Sequence, residues 1–203
     1  MHSSRNGYTV ATSILIPGLE EWILDHASSD WWSPFYVNFM FEPLVGPEKV
    51  VLAQMRRAIE KFYGRFSTQF DRDPRAARSQ MHIPRFLLFP DKPVPKREKA
   101  SIREISMNAG GLHYNGPMMI PRQSHFQGCV IDHLQEEQQT YTRHGISRIH
   151  AKPIYGDSRR LSVYACKTIK WNRADHDDIL VLPRSVSELP DRQKRVATPP
   201  RSR

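Results

Sequence analysis

The chain has 203 residues, enough for one ordinary domain with tails, and sets 30 Lys plus Arg against 21 Asp plus Glu, a formal charge of +9. A pI near 9.8 points to nucleic acid, an anionic membrane face or another polyanion as partner, and 39% hydrophobic with 25% charged residues excludes global disorder. The longest apolar runs, such as Ile14 to Ile16 and Ile179 to Leu182, fall far short of the roughly 18 residues of a membrane span, so no membrane association is expected. His2 and Arg5 are followed by no sustained apolar segment of the secretory type. Cys129 and Cys166 build neither a disulfide framework nor a CxxC metal site, which suits a reducing, cytoplasmic location.

Residues 1–33 read as an N-terminal arm with a short helix from Leu19 to His26, packed by Trp31 and Trp32 onto the strand after it. Phe35-Tyr-Val-Asn-Phe-Met-Phe41, set between Pro34 and Pro43, has the aromatic and branched content of a buried strand. After Gly46-Pro47, Val51, Met55, Ile59, Phe62 and Phe66 recur near a 3.6 period and predict an amphipathic helix ending near Phe70. Arg56, Arg57, Lys61 and Arg65 form its solvated face. A polar connector leads to a strand over Ile83–Phe89. Lys96, Arg97 and Lys99 then lie in a basic loop, Ile102–Met107 reads as a short strand, and Asn108–Gly111 as a turn.

Leu112–Ile120 comes next as an extended segment. A helix is predicted from Ser124 to about Arg143, closed by Gly145. Ile146–Ile154 alternates, with Ile149 and Ala151 on one face and Arg148, His150 and Lys152 on the other, a strand with one cationic side. A helix from Asp157 or Ser158 to about Trp171 and a strand over Asp178–Leu182 complete residues 34–185, and the Pro- and Arg-rich 186–203 reads as a disordered tail. This order predicts an α+β, ferredoxin-like sandwich, a mainly antiparallel sheet with helices covering one face.

Two short patterns carry chemistry. In a strand, His113 and Asn115 project from the same face, and an imidazole nitrogen beside an amide oxygen suits a divalent cation, Mg²⁺ or Mn²⁺. In a helix, Tyr164 and Lys167 share a face, which sets an ammonium beside a phenol whose ordinary pKa of about 10 makes it a poor nucleophile unaided. His82, His125, His133, His144 and His176 show no ligand spacing and read as structural or surface groups. Cys166 reads as a packing residue, and so do Tyr36, Phe39 and Trp171 in preference to base-stacking groups.

Taken in order, these elements resemble the HUH endonuclease superfamily, the rolling-circle replication initiators of plasmids, phages and small circular DNA elements. Leu112-His-Tyr-Asn-Gly116 is similar to the family's His-hydrophobic-His or His-hydrophobic-Gln strand, and Val163-Tyr-Ala-Cys-Lys167 to its Tyr-x-x-Lys helix. The resemblance spans roughly residues 34–185. It implies that Tyr164 attacks a phosphodiester of single-stranded or hairpin DNA, leaving a 5′-phosphotyrosine and a free 3′-hydroxyl. It implies a metal held by His113 and Asn115, with Glu104 as the acidic third ligand ahead of Asp91, and Lys167 as an aid to phosphate or phenol. Lys96, Arg97, Lys99, Arg148, His150 and Lys152 would then hold the DNA strand through its phosphates, with replication proteins acting in trans. Asn115 departs from the family's His or Gln by its shorter reach, and Pro117 implies an edge, a bulge or an early end to that strand. The alternatives are a non-catalytic nucleic-acid-binding module of the same fold and a structural or regulatory protein.

Overall fold

Alternating large apolar and polar residues give the strands two distinct faces, and the computed structural model, which describes residues 5–91, 111–156, 158–171 and 174–184, shows both faces covered by helices. Five strands, β1 (Trp32–Phe41), β2 (Arg85–Asp91), β3 (His113–Pro121), β4 (Ile146–Pro153) and β5 (Leu180–Leu182), form one sheet in the order β4-β1-β3-β2-β5. Every neighbouring pair is antiparallel.

On one face, helix α2 (Glu48–Ser67) lays Met55, Ile59, Phe62 and Phe66 over Val37, Phe39, Phe41, Phe86 and Met118. The spacing of these residues put the helix where it is, and their burial is its main source of stability. Phe62 sits edge-on to Phe39 and Tyr141, with ring centroids 5.1 Å apart in both pairs. Helices α3 (Val130–Glu136) and α4 (Gln138–Tyr141) join the same layer through Val130, Leu134 and Tyr141. Strand, helix, two strands, helices, strand is the split βαβ arrangement expected of an α+β sandwich.

The opposite face is covered by α1 (Arg5–Ser28), α5 (Ser158–Ala165) and α6 (Lys167–Lys170). Here Ile23, Trp32, Leu87, Phe89, Met119, Leu161, Cys166 and Ile169 make a second core. This corrects the expectation of helices on one face only. The reason lies in β2, where Phe86, Leu87, Leu88 and Phe89 are all buried, so both sides of the sheet need cover.

Other departures are local. The short helix expected over Leu19–His26 is part of a 24-residue helix. The helix expected from Ser124 shrinks to two short pieces that begin at Val130. The last long helix is broken by a turn at Cys166, although the Cys166 and Lys170 amides still bond to the Ser162 and Cys166 carbonyls. Pro117 neither ends β3 nor moves it to an edge, because β3 runs between β1 and β2. Its effect is confined to the β2 side, where pairing runs through Phe86↔Met118 and resumes at Phe89↔Asn115.

His26 links α1 to the sheet. Its Nδ1 lies 2.8 Å from the Trp22 carbonyl and its Nε2 2.9 Å from Arg85 Nη1, so the ring donates to the one and accepts from the other as a neutral imidazole. Burial lowers its pKa below 6.5, the Trp22 hydrogen bond opposes this, and the Arg85 charge adds to it. The unfolded chain therefore takes up this proton more readily, so stability is intact above about pH 6.5 and is lost as pH falls below that value. Thermal melts at pH 7.5 and 5.5 should show a larger fall for the wild-type chain than for His26→Gln, and equal falls would rule His26 out as the cause.

Candidate active site

The two chemical motifs meet on the face covered by α5 and α6. Gly111 takes a positive φ of 78° as the chain enters β3, and its carbonyl lies 2.9 Å from His113 Nδ1. With Nδ1–H donated there, the Nε2 lone pair faces inward, the arrangement that readies an imidazole for a ligand. Nε2 lies 3.0 Å from Asn115 Nδ2, two residues on along the same face, and accepts from it.

Register supplies the rest. Asp91, the last residue of β2, pairs with His113, which brings its Oδ2 4.0 Å from His113 Nε2 and 3.4 Å from Asn115 Nδ2. From β1, the Tyr36 hydroxyl donates to Asn115 Oδ1 at 2.7 Å. From the helix side, Lys167 Nζ lies 2.9 Å from Asp91 Oδ2 and 4.3 Å from the centre of the Tyr164 ring, which meets Tyr36 edge-on at 5.5 Å. Asp91, His113, Asn115, Tyr164, Lys167 and Tyr36 thus form one contiguous cluster.

The Asp91 carboxylate is buried, which requires charged or hydrogen-bonding partners, and Lys167 and Asn115 supply them. Burial alone lowers the Lys167 pKa, but the hydrogen bond and charge of Asp91, with Tyr164 adding to them, outweigh it and leave the pKa raised. The lysine is an ammonium at neutral pH and not a general base. Burial, reinforced by the charges of Tyr164 and Asp91, pushes the Tyr36 phenol far above its ordinary value, so it stays protonated. Tyr164 is 51% exposed and reachable from solvent. Cys166 points into the second core and its thiol is pushed up to about 12, chiefly by burial, consistent with packing and not with nucleophilic attack.

Asp91 Oδ2, His113 Nε2 and the Asn115 amide fit a hard divalent cation. The two ligand atoms Nε2 and Oδ2 lie 4.0 Å apart, and on an octahedral ion with bonds of about 2.1 Å, where adjacent ligand atoms lie about 3.0 Å apart, they would close by about 1 Å; the 3.0 and 3.4 Å separations run to the amide nitrogen. The amide now directs its nitrogen into the cluster, and a half-turn would offer Oδ1 instead. The Tyr36 hydroxyl, donor and acceptor both, can partner either end. Asn38, which stands opposite Asn115 across the β1–β3 ladder, has a buried Oδ1 with no hydrogen-bond partner among the described residues, a further acceptor on this face.

The candidate ligand Glu104 and the basic-loop residues Lys96, Arg97 and Lys99 lie outside the described residues, as do the strand expected over 102–107 and the tail. Arg148, His150 and Lys152 are exposed on β4. Their partners on β1 are Met40, Asn38 and Tyr36, so they extend the candidate site's face to the sheet edge. His82 bonds the Gln123 carbonyl beyond the opposite end of β2, far along the strand from Asp91 and His113, and His133 bonds Tyr141. Arg56 and Arg65 of α2 are tied to the Asp177 and Thr140 carbonyls. Asp175, His176 and Asp177 cluster on a surface 3₁₀ turn that the motifs did not single out.

Sequence reasoning places Asp91 behind Glu104 and reads Tyr36 as packing. For Asp91 the available signal is its place at the end of a strand; for Tyr36 and Asn38 it is only their parity on β1. No protein-family model, curated protein or solved structure matches the chain.

Proposed function

We propose that the protein is a metal-dependent endonuclease and strand transferase acting on single-stranded or hairpin DNA, with Tyr164 as nucleophile and Asp91, His113 and Asn115 as the metal-holding set. The observation that carries this reading is the convergence of a solvent-reachable phenol, a lysine ammonium and a His–Asn–Asp cluster from three separate parts of the chain. Tyr164 Oη forms a bond to phosphorus as the bond from phosphorus to the 3′-oxygen breaks. The phenolic proton passes to solvent and the departing oxygen takes one up, leaving a 5′-phosphotyrosine and a free 3′-hydroxyl. The Lys167 ammonium over the ring favours the phenolate and then the charge on the phosphoryl oxygens. A Mg²⁺ or Mn²⁺ ion, when bound, supplies Lewis-acid polarisation of the scissile phosphate. Arg148, His150 and Lys152 hold neighbouring phosphates along β4. Such chemistry initiates rolling-circle replication of a plasmid- or phage-like element in the cytoplasm, with other replication proteins in trans.

The test is incubation with labelled single-stranded and hairpin oligonucleotides plus Mn²⁺ or Mg²⁺, then separation on denaturing gels. A covalent protein–DNA adduct that EDTA prevents is the expected result. A second reading, a non-catalytic nucleic-acid-binding module, draws on the Asn115 amide nitrogen now turned into the cluster. It requires tight, salt-sensitive DNA binding with no adduct on any oligonucleotide. Asp91→Asn should weaken Mn²⁺ binding by at least about tenfold in calorimetry, since it removes the one carboxylate of the set. Unchanged affinity would remove Asp91 from the set.

A further inference from the structure

We infer that Lys167 is the resident counter-cation of the Asp91 carboxylate, and that a divalent metal must expel it to bind, so that metal loading itself frees the ammonium, already beside Tyr164, for the phosphate. This rests on the metal-dependent function proposed for the site and adds a coupling that the proposal does not contain.

Two donors are directed at a single atom, Asp91 Oδ2, Lys167 Nζ at 2.9 Å and Asn115 Nδ2 at 3.4 Å, and the His113 Nε2 lone pair lies 4.0 Å from the same atom. The ammonium is the nearest of them and already balances the carboxylate charge that a bound cation would draw on. Two cations on one buried carboxylate oxygen repel strongly, because little solvent screens them there. A metal therefore either loses affinity to the lysine or displaces it.

The way out is built in. The Lys167 side chain is 24% exposed and has a flexible four-carbon stem, and the face of the Tyr164 ring is already only 4.3 Å from Nζ. Released from Asp91, the ammonium can stay over that ring by cation–π attraction, where the attacking oxygen and the phosphate meet. Without metal, the lysine satisfies the carboxylate and is withheld from the phosphate. With metal it is freed, and by reciprocity anything that draws Lys167 toward a phosphate tightens metal binding.

Calorimetric titration of Mn²⁺ into the wild-type protein, Lys167→Met and Lys167→Gln reads this directly, with no need for turnover. Both variants should bind Mn²⁺ roughly tenfold more tightly than wild type, since they remove a competing charge. Equal or weaker binding in the variants overturns the displacement but leaves the metal-dependent function standing. No saturable Mn²⁺ binding in any of the three overturns both. Should the variants fail to fold, the wild-type chain still decides: the acetylation rate of Lys167, read by mass spectrometry, should rise several-fold at saturating Mg²⁺, and an unchanged rate overturns the inference.

Discussion

Tyr164→Phe is expected to abolish the covalent protein–DNA adduct, lowering the cleavage rate by at least about four orders of magnitude, while DNA affinity and thermal stability stay at wild-type values. The hydroxyl it removes belongs to a side chain that is 51% exposed, and the ring contacts with Tyr36 and Lys167 survive in phenylalanine. The stability change should therefore be within about 0.5 kcal/mol. Denaturing gels report the adduct, fluorescence anisotropy the binding, and a melt the fold. Tyr36 cannot stand in as nucleophile, because burial keeps its phenol protonated and its hydroxyl is spent on Asn115. Persistence of the adduct in Tyr164→Phe would move the nucleophile elsewhere and dissolve the role given to Lys167.

The largest loss of stability should come from Gly116→Ala. A Cβ at this position would lie 2.1 Å from the Leu87 carbonyl oxygen and 3.1 Å from both the Leu87 carbonyl carbon and Leu88 Cα. All three are backbone atoms of β2, so no side-chain rotation relieves the clash. Nor can the strands simply part, because β3 is paired on its other side with β1 through Val37↔Gly116. We expect a loss of about 3–5 kcal/mol in urea unfolding, toward the upper range for single substitutions, or outright failure to fold. Asn115 is the adjacent residue, so a variant that does fold should also bind Mn²⁺ less well. A loss below about 1 kcal/mol would show that β2 and β3 can separate here at little cost.

Periodicity along the chain determined a good deal by itself. The 3.6-residue recurrence from Val51 to Phe66 specified α2, and the two-residue alternation around Ile149 and Ala151 specified β4 with its cationic side. The spacing within His113–Asn115 placed that pair on one face of β3, and the spacing within Tyr164–Lys167 kept that pair adjacent across the turn at Cys166, because near neighbours along the chain are bound by local geometry. What joined those pairs was not local. Asp91 reaches Asn115 across 24 residues of sequence and Tyr36 reaches it across 79, through strand register that depends on which strands become neighbours. The second helical layer, the central position of β3 despite Pro117, and the turn at Cys166 were likewise settled by packing against the sheet. Local propensity is worth only tenths of a kcal/mol per residue, roughly, whereas burying one large side chain is worth about 1.5–3 kcal/mol. Where the two conflicted, burial prevailed, and it is the burial of Leu161, Ala165, Cys166 and Ile169 that brings Lys167 to Asp91.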